Sequence, residues 1–356
     1  TNLELYMTEL TFNVIKILGI SAVASFIAMM WSPFLINFLY KHQLWKKEAR
    51  TKTITGEFAA VFNNLHKERE TNVPRMGGLL IVITTIFVIF LFWGISFILS
   101  LPNVNFLSRP QTWLPLFTLV AAAIVGWLDD LLVVSSLGKY VGGGLAFKKR
   151  LATVALIGLL GGFWFYSKLG WDVISIPLVG PVSIGFWYIP LFILVMLGCW
   201  SGGIVDGLDG LSGGTFASIF GAFTIISFSQ GKVDLATFCA VITGTLFAFL
   251  WFNIPPARFY MGEVGSLALT TTLSVVAFLT DSVFVLPIIA GILVIEVLSV
   301  ILQLLSKKFR KKKIFHSTPI HHHFEALGWP PYKVTMRAWI IGMVLAIIGV
   351  VIKLLG

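Results

Sequence analysis

Charge is scarce in this chain: 12% of its 356 residues are Asp, Glu, Lys or Arg, against about a quarter in an ordinary soluble domain. With 57% hydrophobic residues beside it, that deficit excludes a soluble globular fold. Cysteine is scarcer still. Cys199 and Cys239 both lie in apolar runs without metal-ligand spacing, so a disulfide scaffold and a cysteine-based metal site are excluded and both read as small buried hydrophobes. Alternation of apolar and polar residues is also missing. The apolar runs are continuous over about 20 residues, which selects membrane-spanning helices over a β-barrel. The first run, Val14 to Tyr40, is too long for a signal peptide and lacks the basic start and cleavage site of one, so it reads as a retained span.

Ten spans are predicted, at 14–40, 76–100, 113–134, 151–167, 186–202, 213–229, 234–252, 264–280, 284–306 and 334–354. The net charge of +10 would fit a nucleic-acid partner, but topology accounts for it: with Arg337, one alternate set of loops (41–75, 135–150, 203–212, 253–263 and 307–333) holds 21 of the 26 Lys and Arg residues. The positive-inside rule makes that set cytoplasmic and puts both termini outside. The expectation is a single all-α polytopic membrane domain over 1–356, with no nucleic-acid partner. Phe58, Val61, Phe62 and Leu65 recur at helical spacing in the cytoplasmic linker 41–75 and predict an amphipathic surface helix. Val173 to Ile184, with Gly180-Pro181 between apolar residues, predicts a small outer β-hairpin. The basic run Lys307 to Lys313 is expected at anionic headgroups.

The polar loops carry the candidate chemistry. Asp129-Asp130 ends the third span, and two adjacent acids on a helix point about 100° apart, so they can take different roles. Asp206 and Asp209, in Asp206-Gly207-Leu208-Asp209-Gly210, would share a face on a helical turn, in a loop without Lys or Arg. Glu263 and Ser266 stand at the start of the eighth span, where an acid is stabilised by free N–H groups and can equally be a hard oxygen ligand. His321-His322-His323 lies in the loop 307–333; protonated, such residues bind anions, and neutral, metals. Lys148, Lys149 and Arg150 precede the fourth span, where topology alone explains most of them. Five acids, three histidines and basic residues on one face point to Mg²⁺-assisted phosphoryl transfer at the membrane surface. A metal-ion transporter would instead place its charges mid-span.

With these loops in hand, the chain resembles the polyprenyl-phosphate N-acetylhexosamine-1-phosphate transferases, and among them the phospho-N-acetylmuramoyl-pentapeptide transferase (MraY) branch. The resemblance runs from Pro74 to the C-terminus. It rests on Ser317-Thr318-Pro319-Ile320-His321-His322-His323-Phe324-Glu325 with Leu327-Gly328-Trp329-Pro330, on Met261-Gly262-Glu263-Val264-Gly265-Ser266-Leu267-Ala268-Leu269, on Met76-Gly77-Gly78, and on the two Asp motifs. It implies a ten-span bacterial cytoplasmic-membrane enzyme, dimeric, with outward termini and a cytoplasmic active site. It implies that phospho-MurNAc-pentapeptide passes from UDP-MurNAc-pentapeptide to undecaprenyl phosphate in the membrane lipid, giving lipid I and UMP with Mg²⁺. Asp129, Asp130, Glu263 and His321 become candidate catalytic residues, with Asp129, Asp130 and Glu263 also the Mg²⁺ ligands. Lys148, Asp206, Asp209, Asn253, Met261, Gly262, Ser266, His322 and His323 become substrate-binding candidates, Lys148 as the lysine after Gly144-Leu145.

The chain departs from the pattern in several places. The family has Asp where Glu263 stands, Lys where Val133 stands and Asn where Gly203 stands, and its Lys-x-Gly-Thr-Pro-Thr segment is replaced through Glu70, Asn72, Val73, Pro74 and Arg75. Three readings follow: a divergent branch compensated by groups such as Arg75 and Lys67, a transferase of another UDP-HexNAc, or a low-activity homologue.

Overall fold

The computed structural model describes residues 2–47, 71–135 and 144–356. The expected amphipathic helix around Phe58, and Lys67 and Glu70, lie outside the described residues. A helix stands at each of the ten expected apolar segments: α1 (Asn2–Lys41), α2 (Gly78–Ile98), α3 (Trp113–Val134), α4 (Phe147–Lys168), α5 (Tyr188–Ser201), α6 (Leu211–Ser229), α7 (Val233–Asn253), α8 (Gly262–Leu279), α9 (Gly291–Arg310) and, after the short α10 (Ile320–Ala326), α11 (Pro331–Leu355). α1 begins at Asn2, twelve residues before the expected span, and its 40 residues reach about 60 Å, well beyond a hydrocarbon core of about 30 Å. The hairpin forms as expected: β1 (Val173–Ile176) pairs antiparallel with β2 (Gly180–Ser183), Val173 opposite Ser183 and Ile176 opposite Gly180.

Among the described residues, nine helical stretches are long and apolar enough to cross a membrane. α9 is not among them because it carries Glu296, Gln303, Lys307, Lys308 and Arg310. Its burial pattern explains them. Glu296, Ser299, Gln303 and Ser306 form a buried stripe at spacings of three and four, while Ile295, Leu298, Ile301, Leu302 and Leu305 are exposed. A helix with polar groups turned into the protein and apolar groups turned out suits an apolar solvent, not water.

α8 is the central element. Every residue from Val264 to Leu279 is buried, and the helix packs against α2, α3, α5 and α6. Several of its hydroxyls are satisfied within it: Thr270 Oγ1 donates to Ser266 O and Thr271 Oγ1 to Leu267 O, both at 2.7 Å, which makes polar residues tolerable where water is absent. The closest approach to α3 is at Gly126, where a Cβ would run into the backbone of Glu263 and Val264. This small residue lets α3 slide its acidic C-terminal end against the start of α8.

Outside this core the two ends of the bundle differ. At the hairpin end, Asp281 Oδ1 accepts from Ser175 N–H at 2.9 Å, Lys353 Nζ donates to Asp281 O at 2.8 Å, and Lys16 Nζ pairs with Asp234 at 3.2 Å. The opposite end gathers the motif loops. Gly126→Ala is expected to force α3 off α8 at a cost of about 1–3 kcal/mol, read as a lower thermal midpoint of the purified protein; an unchanged midpoint would mean the approach is not tight.

Candidate active site

The site is built on the N-terminus of α8, whose first N–H groups have no partner within the helix. Carboxylates from two other elements take them. Val264 N–H donates to Asp130 Oδ2 at 3.0 Å, and Gly262 N–H to Asp206 Oδ2 at 3.1 Å. Asp130 comes from the last turns of α3; Asp206 follows a 3₁₀ turn, Gly202–Val205. Opposite charge at this end of a helix is favourable. Glu263, in the first turn itself, was the expected partner of those N–H groups. Its carboxylate turns away and accepts from Arg150 Nη1 at 2.7 Å.

Two guanidiniums hold the acids together. Arg150, in the first turn of α4, bridges Glu263 and Asp129, with Nη2 3.0 Å from Asp129 Oδ2. Arg75 donates through Nε to Asp130 Oδ1 at 3.3 Å. Arg75 is placed by a short backbone ladder: Tyr260 N–H donates to Pro74 O at 2.8 Å, Gly77 N–H to Tyr260 O at 2.8 Å and Gly78 N–H to Met261 O at 2.9 Å. Burial opposes its charge, yet Asp130, then Asp206 and Glu263, more than offset that and hold the guanidinium above its ordinary pKa. The acids themselves are secluded, Asp129 at 2% and Asp130 at 0% exposure. Asp129 Oδ1 accepts from Leu145 N–H. Asp129 Oδ2 meets Arg150 Nη2 as an ion pair and, among the described residues, accepts no hydrogen bond. Burial raises the Asp206 pKa to about 6, against the lowering effects of Ser212, whose Oγ donates at 2.8 Å, and of Arg75.

Asp129, Arg150 and Glu263 line one small cavity with Thr153 and Trp200. Four carboxylates face two guanidiniums here, an excess of negative charge that a divalent cation would offset. Hard oxygens, one of them without a hydrogen bond, fit the Mg²⁺ that the resemblance implies. Among the described residues no three His, Cys, Asp or Glu side chains converge as a metal set. Asp129 and Glu263 share the cavity, whereas Asp130 is turned to Arg75 and Val264.

The remaining candidates divide between neighbours of the cluster and braces of the loops around it. Asp206 and Asp209 do not share a face, because the segment is an irregular loop: Asp209 Oδ2 accepts from Ala257 N–H at 3.2 Å. Asn253 braces the same two loops, accepting from Gly210 N–H at 3.0 Å and donating to Phe259 O at 2.8 Å. Met261 is buried, Gly262 contacts the Asp130 carboxylate, and Ser266 Oγ donates to Gly262 O at 2.8 Å. Lys148 is exposed, and Arg150, two residues on, is the cation that enters the cluster.

The three histidines part ways. His321, 1% exposed, sets Nδ1 2.9 Å from Glu296 Oε2, while its buried Nε2 has no hydrogen-bond partner among the described residues and lies against Gly207 of the Asp206 loop. His322 Nδ1 lies 2.7 Å from Glu325 Oε2. His323 stacks on His316 and accepts from its backbone N–H at 3.2 Å; partial burial and then His316 lower its pKa. Arg150 and Glu296 are the residues that sequence reasoning passed over. Glu296 did carry a signal, an acid in the middle of an apolar run.

Comparison with known proteins places the chain among related sequences. The family profile described as Glycosyl transferase family 4 matches residues 112–281, the stretch from Asp129 through Glu263. The phospho-N-acetylmuramoyl-pentapeptide-transferase of Shouchella clausii is 35% identical over 352 residues, covering 97% of this chain and 98% of the relative. The protein of that name from Anoxybacillus flavithermus is 32% identical over 339 residues, covering 95% and 98%. That from a Geobacillus species is 34% identical over 290 residues, covering 80% and 85%.

Two outcomes follow from the cluster. Arg75→Ala strands the buried Asp130 charge and is expected to cost about 3 kcal/mol or more, seen as a large drop in thermal midpoint. The folded Asp206 pKa of about 6 lies above the ordinary aspartate value of about 3.9, so the folded state binds the extra proton between those values and loses stability as pH rises through them. Asp206→Asn is expected to flatten that decline in a thermal-midpoint series from pH 4 to 7; an identical slope in the variant would refute it.

Proposed function

The chain belongs to the phospho-N-acetylmuramoyl-pentapeptide transferase family, and from that membership we propose that it transfers phospho-MurNAc-pentapeptide from UDP-MurNAc-pentapeptide to undecaprenyl phosphate, forming lipid I and UMP. The observation that carries the reading is the meeting of Asp129, Asp130, Asp206 and Glu263 with Arg75 and Arg150 at the N-terminus of α8. The apolar exterior of α9 supports it as the tenth span, and the basic loops support a cytoplasmic orientation for this end of the bundle. The lipid phosphate arrives from the bilayer and the nucleotide from the cytoplasm, so a site at the helix ends meets both.

The reaction is a direct displacement. A nonbridging oxygen of undecaprenyl phosphate attacks the β-phosphorus of the sugar nucleotide, the bond to the bridging oxygen breaks, and UMP leaves with the electron pair. A phosphate oxygen needs little general-base help. Asp129 Oδ2, the carboxylate oxygen without a hydrogen bond, orients the attacking phosphate and takes its proton where one is present. Mg²⁺ held by Asp129 and Glu263 would neutralise the diphosphate and the departing UMP. Asp130 and Asp206 fix the start of α8 and so set the register of Glu263 against Asp129. His321, kept oriented by Glu296, presents Nε2 beside Gly207 to the nucleotide side of the site.

Purified protein given labelled UDP-MurNAc-pentapeptide, undecaprenyl phosphate and Mg²⁺ is expected to yield a lipid-linked product and UMP, with none from UDP-GlcNAc. Asp129→Asn is expected to lower the rate, measured on protein that remains folded, by about a hundredfold or more, and to lower the thermal midpoint as well, because it removes one partner of the Arg150 ion pair. Product from UDP-GlcNAc alone would assign a different sugar nucleotide.

A further inference from the structure

Arg150 is held more firmly than a charge set by topology needs to be. Its Nε donates to Leu145 O at 3.1 Å, Nη1 donates to Glu263 Oε1 at 2.7 Å, and Nη2 lies 3.0 Å from Asp129 Oδ2. Leu145 N–H in turn donates to Asp129 Oδ1, so the segment that carries the guanidinium also clasps the acid. Gly144 leaves room for the pair: a Cβ there would stand 2.6 Å from both Arg150 Nη2 and Asp129 Oδ1. The guanidinium therefore lies between the two carboxylates that share the cavity, where a cation ligated by both would also sit. One cation can neutralise a carboxylate pair at a time, and Asp129, at 2% exposure, has little water to fall back on.

We propose that Arg150 is a tethered competitor of the divalent cation: it pairs with both Asp129 and Glu263 in the metal-free protein, and metal binding requires its two ion pairs to break. The inference rests on the reading of Asp129 and Glu263 as metal ligands. It makes Arg150 a positioning residue that keeps the two carboxylates folded together without metal and sets the threshold at which metal takes them. The guanidinium's fork also suits the task, since its nitrogens reach two different carboxylates, which a single ammonium does less well.

The test is Mn²⁺ binding to the full-length protein in nanodiscs, followed by the electron paramagnetic resonance signal of free Mn²⁺. Arg150→Gln is expected to bind Mn²⁺ roughly tenfold more tightly than the unsubstituted protein, with Arg150→Lys between the two. Its thermal midpoint is expected to fall without metal and to recover with Mn²⁺. Unchanged or weaker Mn²⁺ binding by Arg150→Gln overturns the proposal while leaving the metal reading intact. Absence of binding to both proteins overturns the metal reading and the proposal together. Should Arg150→Gln not fold, the unsubstituted protein decides: Mn²⁺ is expected to speed phenylglyoxal modification of Arg150 several-fold, read by mass spectrometry of its peptide, and an unchanged or slower rate refutes the competition.

Discussion

The start of α8 is where a buried helix end, four carboxylates and two guanidiniums meet, and the surrounding structure is arranged around making that meeting affordable. Asp129 and Asp130 are buried and the other four charges are only partly exposed, and a buried carboxylate left alone at that depth would be strongly unfavourable. The arrangement satisfies them against one another. The open N–H groups of α8 take Asp130 and Asp206, Arg75 takes Asp130, and Arg150 takes Asp129 and Glu263. Because α3, α4, α8 and two loops each supply a member, the cluster also ties together elements far apart in the chain.

The same economy explains α9 and the histidine loop. Three residues of its buried polar stripe anchor the segment that follows, and Ser299 bonds back to Glu296 O within the helix. Gln303 accepts from Ile314 N–H and Phe315 N–H and donates to Phe315 O, Ser306 donates to Lys312 O, and Glu296 orients His321. A carboxylate behind an imidazole fixes which nitrogen faces forward. His321 is therefore presented to the Asp206 loop by a residue on a membrane-facing helix, and the three adjacent histidines, alike in sequence, have three different surroundings.

Much of the fold was legible because membrane helices announce themselves by continuous apolar length, and the hairpin by Gly180-Pro181 between β-branched residues. The acids were legible as costly groups at helix ends. Arg75 was identified as a compensating group, and it is placed on Asp130. What could not be read was direction. Spacing could not say that Asp206 and Asp209 turn to different partners in an irregular loop. Nor could it separate Arg150 from Lys148 and Lys149, since all three satisfy the charge rule for a loop and only the first turn of α4 decides which one points inward. Glu296 was hidden by the apolar residues around it, although an acid there is itself the signal.

The central claim is that nucleotide-sugar chemistry takes place at the start of α8. It is tested most directly by photolabelling the full-length protein in membranes with a photoreactive uridine diphosphate probe and mapping the labelled peptides. Label is expected in the segments 203–212 and 253–266, and UDP-MurNAc-pentapeptide is expected to compete it away. Label elsewhere in the chain, or label in those segments that the sugar nucleotide does not displace, would contradict the assignment.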